Sequence, residues 1–319
     1  FYVMRFLLGV AEAGFIPGIL FYLTQWFPAA ARGRISAAFL AAVPVSAIIG
    51  GPVSGWILGA VSGTGGLAGW QWLFLIEAVP SVLLGIATLL YLDDHVADAT
   101  WLAPDERRLV ADAVARDDAA KGGHTHLSAA FTDARVWLLG AIYFSIVCGI
   151  YIVSFYLPTL IKQSGVTNPL KIGLLAAIPY VVAVVVMFAT SASADRRRER
   201  RWHTVVPAVA CGLGCAATAA AGHSTIAVML GMTLAAAGSS AAFSTFWCMP
   251  PAFLGGAAAA AGIALVNSLG NIAGFVATFM VGWMTTLTHS SASALYLFGA
   301  IIAAGGLLVL TIPSRVVDR

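Results

Sequence analysis

The amino-acid sequence predicts an all-α membrane protein, a bundle of long apolar helices. Hydrophobic residues make up 60% of the 319 positions and charged residues only 10%. The mean hydropathy is +0.91, and residues 202–314 contain no Asp, Glu, Lys or Arg. A soluble domain is nearer half apolar and a quarter charged. A water-facing surface cannot dispense with charge over such a length, whereas consecutive membrane spans can. Strands of a membrane barrel would alternate polar and apolar over about ten residues, and these runs do not.

Runs of about 20 apolar residues bounded by Pro, Gly or charge predict nine spans. They cover 1–27, 35–59, 71–92, 135–160, 172–194, 204–222, 225–248, 260–287 and 292–312. The resulting division is a partial N-terminal bundle of three spans (1–94), a connecting segment (95–134) and a six-helix bundle (135–319).

The basic residues orient the spans. One set of loops holds Arg32 and Arg34, then Arg107, Arg108, Arg116, Lys121 and Arg135, then the arginines of 196–201, and finally Arg315 and Arg319. The alternate loops hold only Lys162 and Lys171. The positive-inside rule places the first set, and with it the C-terminus, in the cytoplasm. An odd number of spans then leaves the N-terminus outside. Phe1 already lies in an apolar run with no charged start or cleavage site before it, so the chain is expected to be a fragment lacking upstream helices.

The connecting segment carries Pro104, suited to the first turn of a short amphipathic helix that Gly122-Gly123 would end. His124 and His126 follow it without further ligands nearby, and read as loop histidines rather than a metal site. Cys148, Cys211, Cys215 and Cys248 all fall in apolar segments, where cysteine acts as a small packing residue.

Charge within lipid is expensive, roughly 2.5–3.5 kcal/mol per group at the bilayer centre. Only Arg5, Glu12 and Glu77 fall inside spans. Arg5 and Glu12 are seven apart, about 20° off one helix face. Glu12 is a candidate proton carrier, since burial favours a neutral carboxyl and a nearby guanidinium the charged one. Arg5 suits an organic anion or Glu12 itself. A structural ion pair joining two helices is the competing reading of both. Glu77, about two turns from its helix end, reads as structural.

Ser240, Ser244 and Trp247 recur at i, i+4, i+7, and Asn267 and Asn271 at i, i+4 in the next span. Buried amides need partners, either a neighbouring helix or a ligand. Tyr151 and Tyr156 offer hydroxyls in a span's outer half. Pro17 and Pro52, each beside glycines, suit helix kinks and close packing. In SADRRRERRWH, Asp195 and Arg196 open the densest charge run. A lipid-facing basic anchor is one reading; an ion-paired lock between helices, with a gating role, is the other.

Taken together these segments resemble the major facilitator superfamily, anion:cation symporter group. RFLLGVAEAGFIPGILFYLTQWFPAAARGR is similar to that group's fourth helix and following loop, GGPVSGWIL to the fifth helix and GWQWLFLIEAVPS to the sixth. FYLPTLIK, ADRRRERRWH and FWCMPPAFLGGAAAAAGIALVNSLGN resemble parts of helices seven to eleven, and the last span helix twelve. FWCMPP departs from the group's usual pattern at Cys248. The resemblance implies a twelve-helix transporter of which helices four to twelve are present. It implies proton-coupled symport of a small organic anion, a mono- or dicarboxylate such as tartrate, phthalate, an aromatic acid or a sugar acid, by alternating access across the bacterial inner membrane. Glu12 and Arg5 match the group's proton-coupling positions. Ser244, Trp247 and Asn267 match substrate-binding positions, and Tyr151 is a further candidate. The first helix, which in this group supplies another carboxylate and an Arg, has no counterpart here, so the fragment alone is not expected to transport.

The expected partners are the anion, a proton or sodium ion, and the bilayer; no cofactor, metal or nucleic acid is expected. An integral-membrane enzyme would need converging His, Asp or Glu at membrane depth, and all six histidines lie in loops or at span ends. A transporter-like sensor that no longer transports is the remaining alternative.

Overall fold

A computed structural model describes residues 2–120, 131–222, 224–253 and 256–317. His124, His126, His223 and the Gly122-Gly123 pair lie outside the described residues. Among the described residues the secondary structure is helical with no strand, and nine stretches are long and apolar enough to cross a membrane.

The first span is two helices, α1 (Tyr2–Glu12) and α2 (Phe15–Trp26). The second is likewise α3 (Ala29–Leu40) and α4 (Ala42–Ala60). Each break lies about four residues before a proline, Pro17 or Pro44. Proline lacks the N–H that would bond to the carbonyl four residues back, and its ring crowds that carbonyl. Pro52, by contrast, stays inside a continuous α4. The third span is α5 (Gly69–Tyr91). The connecting segment contains α6 (Pro104–Ala120), which starts at the expected proline and is capped by Glu106 accepting from the Ala103 N–H at 3.1 Å.

Six further spans follow: α7 (Ala134–Gln163), α8 (Pro169–Arg197), α9 (Arg201–Ala220), α10 (Thr225–Phe246), α11 (Gly256–Thr288) and α12 (Ala292–Leu308). Asp133, Asn168 and Ser224 each cap the helix that follows with a side-chain oxygen. The principal core lies among these six helices, where Leu139, Ile146, Leu157, Met187, Phe246 and Phe298 are fully buried. Cys148, Cys211 and Cys215 are buried in it and Cys248 is half-buried, in keeping with packing roles.

Helix α4 lies along α8, so closely that a Cβ on Gly55 would stand 2.9 Å from the Pro169 carbonyl oxygen. Small residues permit such backbone contact within membranes. Helix α5 packs mainly on α4 among the described elements and leaves Leu83, Leu84, Leu89 and Leu90 exposed, a surface suited to lipid or to further helices. The connecting segment folds onto the end of α2. Trp101 stacks on Trp26 at 6.0 Å between ring centres, and the Tyr22 hydroxyl donates to the Asp93 carbonyl at 2.8 Å. Arg107 donates to the carbonyls of Ala97 and Ala99 at 3.1 and 2.7 Å. This face, which also carries the 196–201 loop, is the basic end of the bundle.

Candidate functional site

The break between α1 and α2 leaves Glu12 as the last residue of α1, near the middle of the first span. Opposite it stand α7 and α11. Between them is a cavity of about 550 Å³ lined by Gly9, Glu12, Ala13, Phe15, Ile16, Tyr151, Asn267, Ser268 and Asn271. Glu12, Tyr151 and Asn267, three residues singled out from the sequence, thus share one cavity. Asn271 continues the face of Asn267 one turn along α11.

The polar side chains of this cavity make no hydrogen bond to other described residues. Glu12 makes no ion pair and no hydrogen bond among the described residues, so it is not locked to Arg5. Arg5 sits seven residues earlier on the exposed α1 and does not line the cavity. Asn267 is 5% exposed, yet its amide bonds to no described side chain or carbonyl. The Tyr151 hydroxyl is likewise without a hydrogen bond among the described residues, and its ring stacks on Phe155 at 5.8 Å and 4°. Two amides and a phenol that face a carboxyl, none of them hydrogen-bonded among the described residues, suit a polar occupant or water.

Ser244 and Trp247 do not join this cavity. Ser244 is buried and shares a hydrogen bond with Ser191 of α8, Oγ to Oγ at 3.0 Å. Trp247 packs edge-on against Tyr143 at 4.7 Å and Phe246 at 5.6 Å, 2% exposed, with its Nε1 lacking a hydrogen-bond partner among the described residues. The spacing of Ser240, Ser244 and Trp247 reads as one face, but α10 ends at Phe246 and turns that face into the aromatic core. Trp247 reaches the cavity only through Tyr143, whose ring lies against Gly270, three residues beyond Asn267.

Asp195 and Arg196 line a second opening of about 670 Å³ at the basic end, with Ala37 and Ala38 of α3 and Phe188, Ser191 and Ala192 of α8. Asp195 makes no ion pair within 4 Å among the described residues. The arginines beside it bond to helix-end carbonyls instead. Arg200 donates to the Cys248 carbonyl at 3.0 Å and Arg201 to that of Leu310 at 2.6 Å. In the same segment His203 Nδ1 meets Glu199 Oε2 at 2.6 Å, and Nε2 of the same ring meets Ser193 Oγ at 2.9 Å. Ser193 lies within a continuous helix, so its neighbouring amides are engaged and offer no oxyanion site.

Glu77 of α5 accepts a hydrogen bond from Ser54 of α4 at 2.7 Å, the structural role its shallow position suggested. The groups missed in the sequence were Ser268 and the bare backbone at Gly274. The signal was present, since Asn267, Asn271 and Gly274 follow i, i+4, i+7.

A bundle of long apolar helices around a polar cavity at mid-span has the form of a multi-pass membrane transporter. Residues 1–278 match the Major Facilitator Superfamily, and the chain belongs to that family. It is 43% identical over its whole length to a protein of Pseudomonas putida named as a metabolite transport protein, NicT, of which it covers 73%. It is 42% identical, again over its whole length, to a protein of Agrobacterium vitis named as a tartrate transporter, covering 72% of it. In fold it is similar to the proton:xylose symporter XylE, with a TM-score of 0.69 at 16% identity, over 92% of this chain and 66% of that one.

Proposed function

We propose that this protein carries a small organic anion, a mono- or dicarboxylate, together with a proton across the bacterial inner membrane, with its C-terminus in the cytoplasm. One observation carries the reading: Glu12 is a carboxyl without an ion pair among the described residues, beside a helix break and facing Tyr151 and Asn267 across the cavity. A carboxyl held in lipid without a partner is costly, and a proton that comes and goes removes its charge at each turn of the cycle. Relatives named for tartrate and metabolite transport support a small polar acid as cargo.

In this reading Glu12 couples the proton, and Arg5, one heptad earlier, tunes its charge or attracts the anion. Asn267 and Tyr151 contact the substrate, and Ser244 and Trp247 form the layer behind them. Asp195 and Arg196 gate the opening at the basic end as the helices rock in alternating access. The connecting segment 95–134 joins the two bundles on the cytoplasmic side.

The test is uptake into proteoliposomes by the protein with any upstream helices its gene encodes. Internal pH is followed as tartrate, phthalate, 4-hydroxyphenylacetate and galactonate are added in turn. Acidification by one acid, abolished in Glu12→Gln, is expected. Uptake that needs sodium and leaves internal pH unmoved would overturn proton coupling, and silence across all four acids with folded protein would overturn the anion reading.

A further inference from the structure

The Tyr151 phenol is held by shape alone. No hydrogen bond among the described residues fixes its hydroxyl, yet the ring is confined by Phe155 stacked parallel to it and by α11. A methyl group on Gly274 would stand 2.7 Å from Cζ and 2.9 Å from both Cε2 and Oη of Tyr151. Such separations are well inside van der Waals contact, so the hydroxyl end of the ring rests in a notch that glycine alone provides.

We propose that Gly274 is a positioning residue that sets where the Tyr151 hydroxyl stands in the substrate cavity, and so which acids bind there. The inference rests on the reading that this cavity holds the transported acid. One stripe of α11 supplies the amides of Asn267 and Asn271 and then, at Gly274, the seat for the phenol. With Ser268 these are neutral groups able both to donate and to accept. Among the described residues no Lys or Arg lines the cavity. This wall therefore selects by the positions of the acid's hydroxyl and carboxyl oxygens, and the spacing from the phenol to the amides decides what length of acid satisfies both.

A second tyrosine is seated on the same helix one turn earlier, and the two differ in consequence. Tyr143 meets Gly270 along the Cδ1–Cε1 edge and at Cγ, the flank of a ring that is buried. A methyl there has nowhere to displace it. At Gly274 the contact is with the free end of a half-buried ring, which can swing aside. Gly274→Ala should accordingly leave the fold intact while moving the hydroxyl.

The experiment combines kinetics with a direct readout of ring position. In proteoliposomes, Gly274→Ala and Tyr151→Phe should each raise KM for the transported acid about tenfold, the size of one lost ligand hydrogen bond, with kcat changed less than about twofold. The double variant should be no worse than the weaker single one, because the hydroxyl is already out of place. Separately, 3-fluorotyrosine is placed at position 151 and its 19F shift recorded without substrate. The shift should move in Gly274→Ala and stay put in Gly282→Ala, a control on the same helix where an added methyl meets nothing within 4 Å. An unmoved shift in Gly274→Ala, or single effects that multiply in the double variant, would overturn the proposal. A shift that moves as expected in a protein that transports none of the acids would leave Gly274 seating Tyr151 but overturn its role in substrate choice, because the cavity reading beneath it would have failed.

Discussion

Ser54 of α4 donates a hydrogen bond to Oε1 of Glu77 on α5 at 2.7 Å. Two of the acidic residues within the described spans are thereby set apart: Glu77 has a protein partner and Glu12 has none among the described residues. Interhelical polar contacts in membranes contribute about 0.6 kcal/mol on average. A thermodynamic cycle over Ser54→Ala and Glu77→Ala should return a coupling of about that size. Glu77→Gln, which keeps an acceptor oxygen, should accumulate substrate as the unmodified protein does. Loss of accumulation in Glu77→Gln would make Glu77 a second proton carrier.

Asn267 offers the opposite case, a buried amide whose removal orphans no polar group among the described residues. Breaking a buried hydrogen bond costs stability largely because the partner is left unpaired, about 1–3 kcal/mol. With no partner, Asn267→Ala should lower Tm by no more than a few degrees. Affinity for the acid should fall about tenfold, the loss of one well-made contact. Thermal unfolding and substrate binding on the same preparation decide it. A large fall in Tm with unchanged affinity would return Asn267 to helix packing.

How far the sequence speaks depends on what kind of physics a feature obeys. Span number follows from composition, because lipid demands about 20 apolar residues per helix, and nine expected spans appear as nine among the described residues. Glu12 stands out for the same reason, charge being scarce at that depth. Pro17 and Pro44 follow breaks that a periodicity argument cannot resolve, since a helix interrupted for one or two residues keeps its apolar character. Ser244 and Trp247 illustrate the limit more sharply. Their spacing says they share a face, but which neighbour that face meets depends on the tilt and end of α10. The arginines of 196–201 illustrate it again: charge alone suggests pairing with Asp195, whereas the geometry turns Arg200 and Arg201 to carbonyls at the ends of other helices.

Trp247 allows its two roles to be separated by one conservative change. Its Nε1 has no hydrogen-bond partner among the described residues, so Trp247→Phe removes no protein bond and keeps most of the aromatic contact with Tyr143. Stability should fall only modestly, while Trp247→Ala, which opens a cavity in the core, should cost about 3–5 kcal/mol. If the indole N–H reaches the acid during the cycle, KM rises in Trp247→Phe with the fold intact. An unchanged KM in Trp247→Phe assigns the residue wholly to packing.

For Glu12 the decisive observable is dependence on pH rather than rate. Uptake coupled to a proton requires the carrier to bind that proton on the side of entry and release it on the other. Lowering the external pH steepens the inward proton gradient that drives symport, so uptake by the unmodified protein should rise as the outside is acidified. Glu12→Gln is permanently neutral and can do neither step. It should lose accumulation but retain exchange of labelled for unlabelled acid, a process with no net proton movement, and that exchange should be flat across about pH 5 to 8. Glu12→Asp keeps a carboxyl one methylene further back from Tyr151 and Asn267, and should recover part of the accumulation. These rates are read by counterflow and by gradient-driven uptake on the same vesicles. If exchange in Glu12→Gln keeps the pH dependence of the unmodified protein, the titrating group lies elsewhere, and Glu77 and Asp195, the other acidic residues within the described spans, become the next to replace.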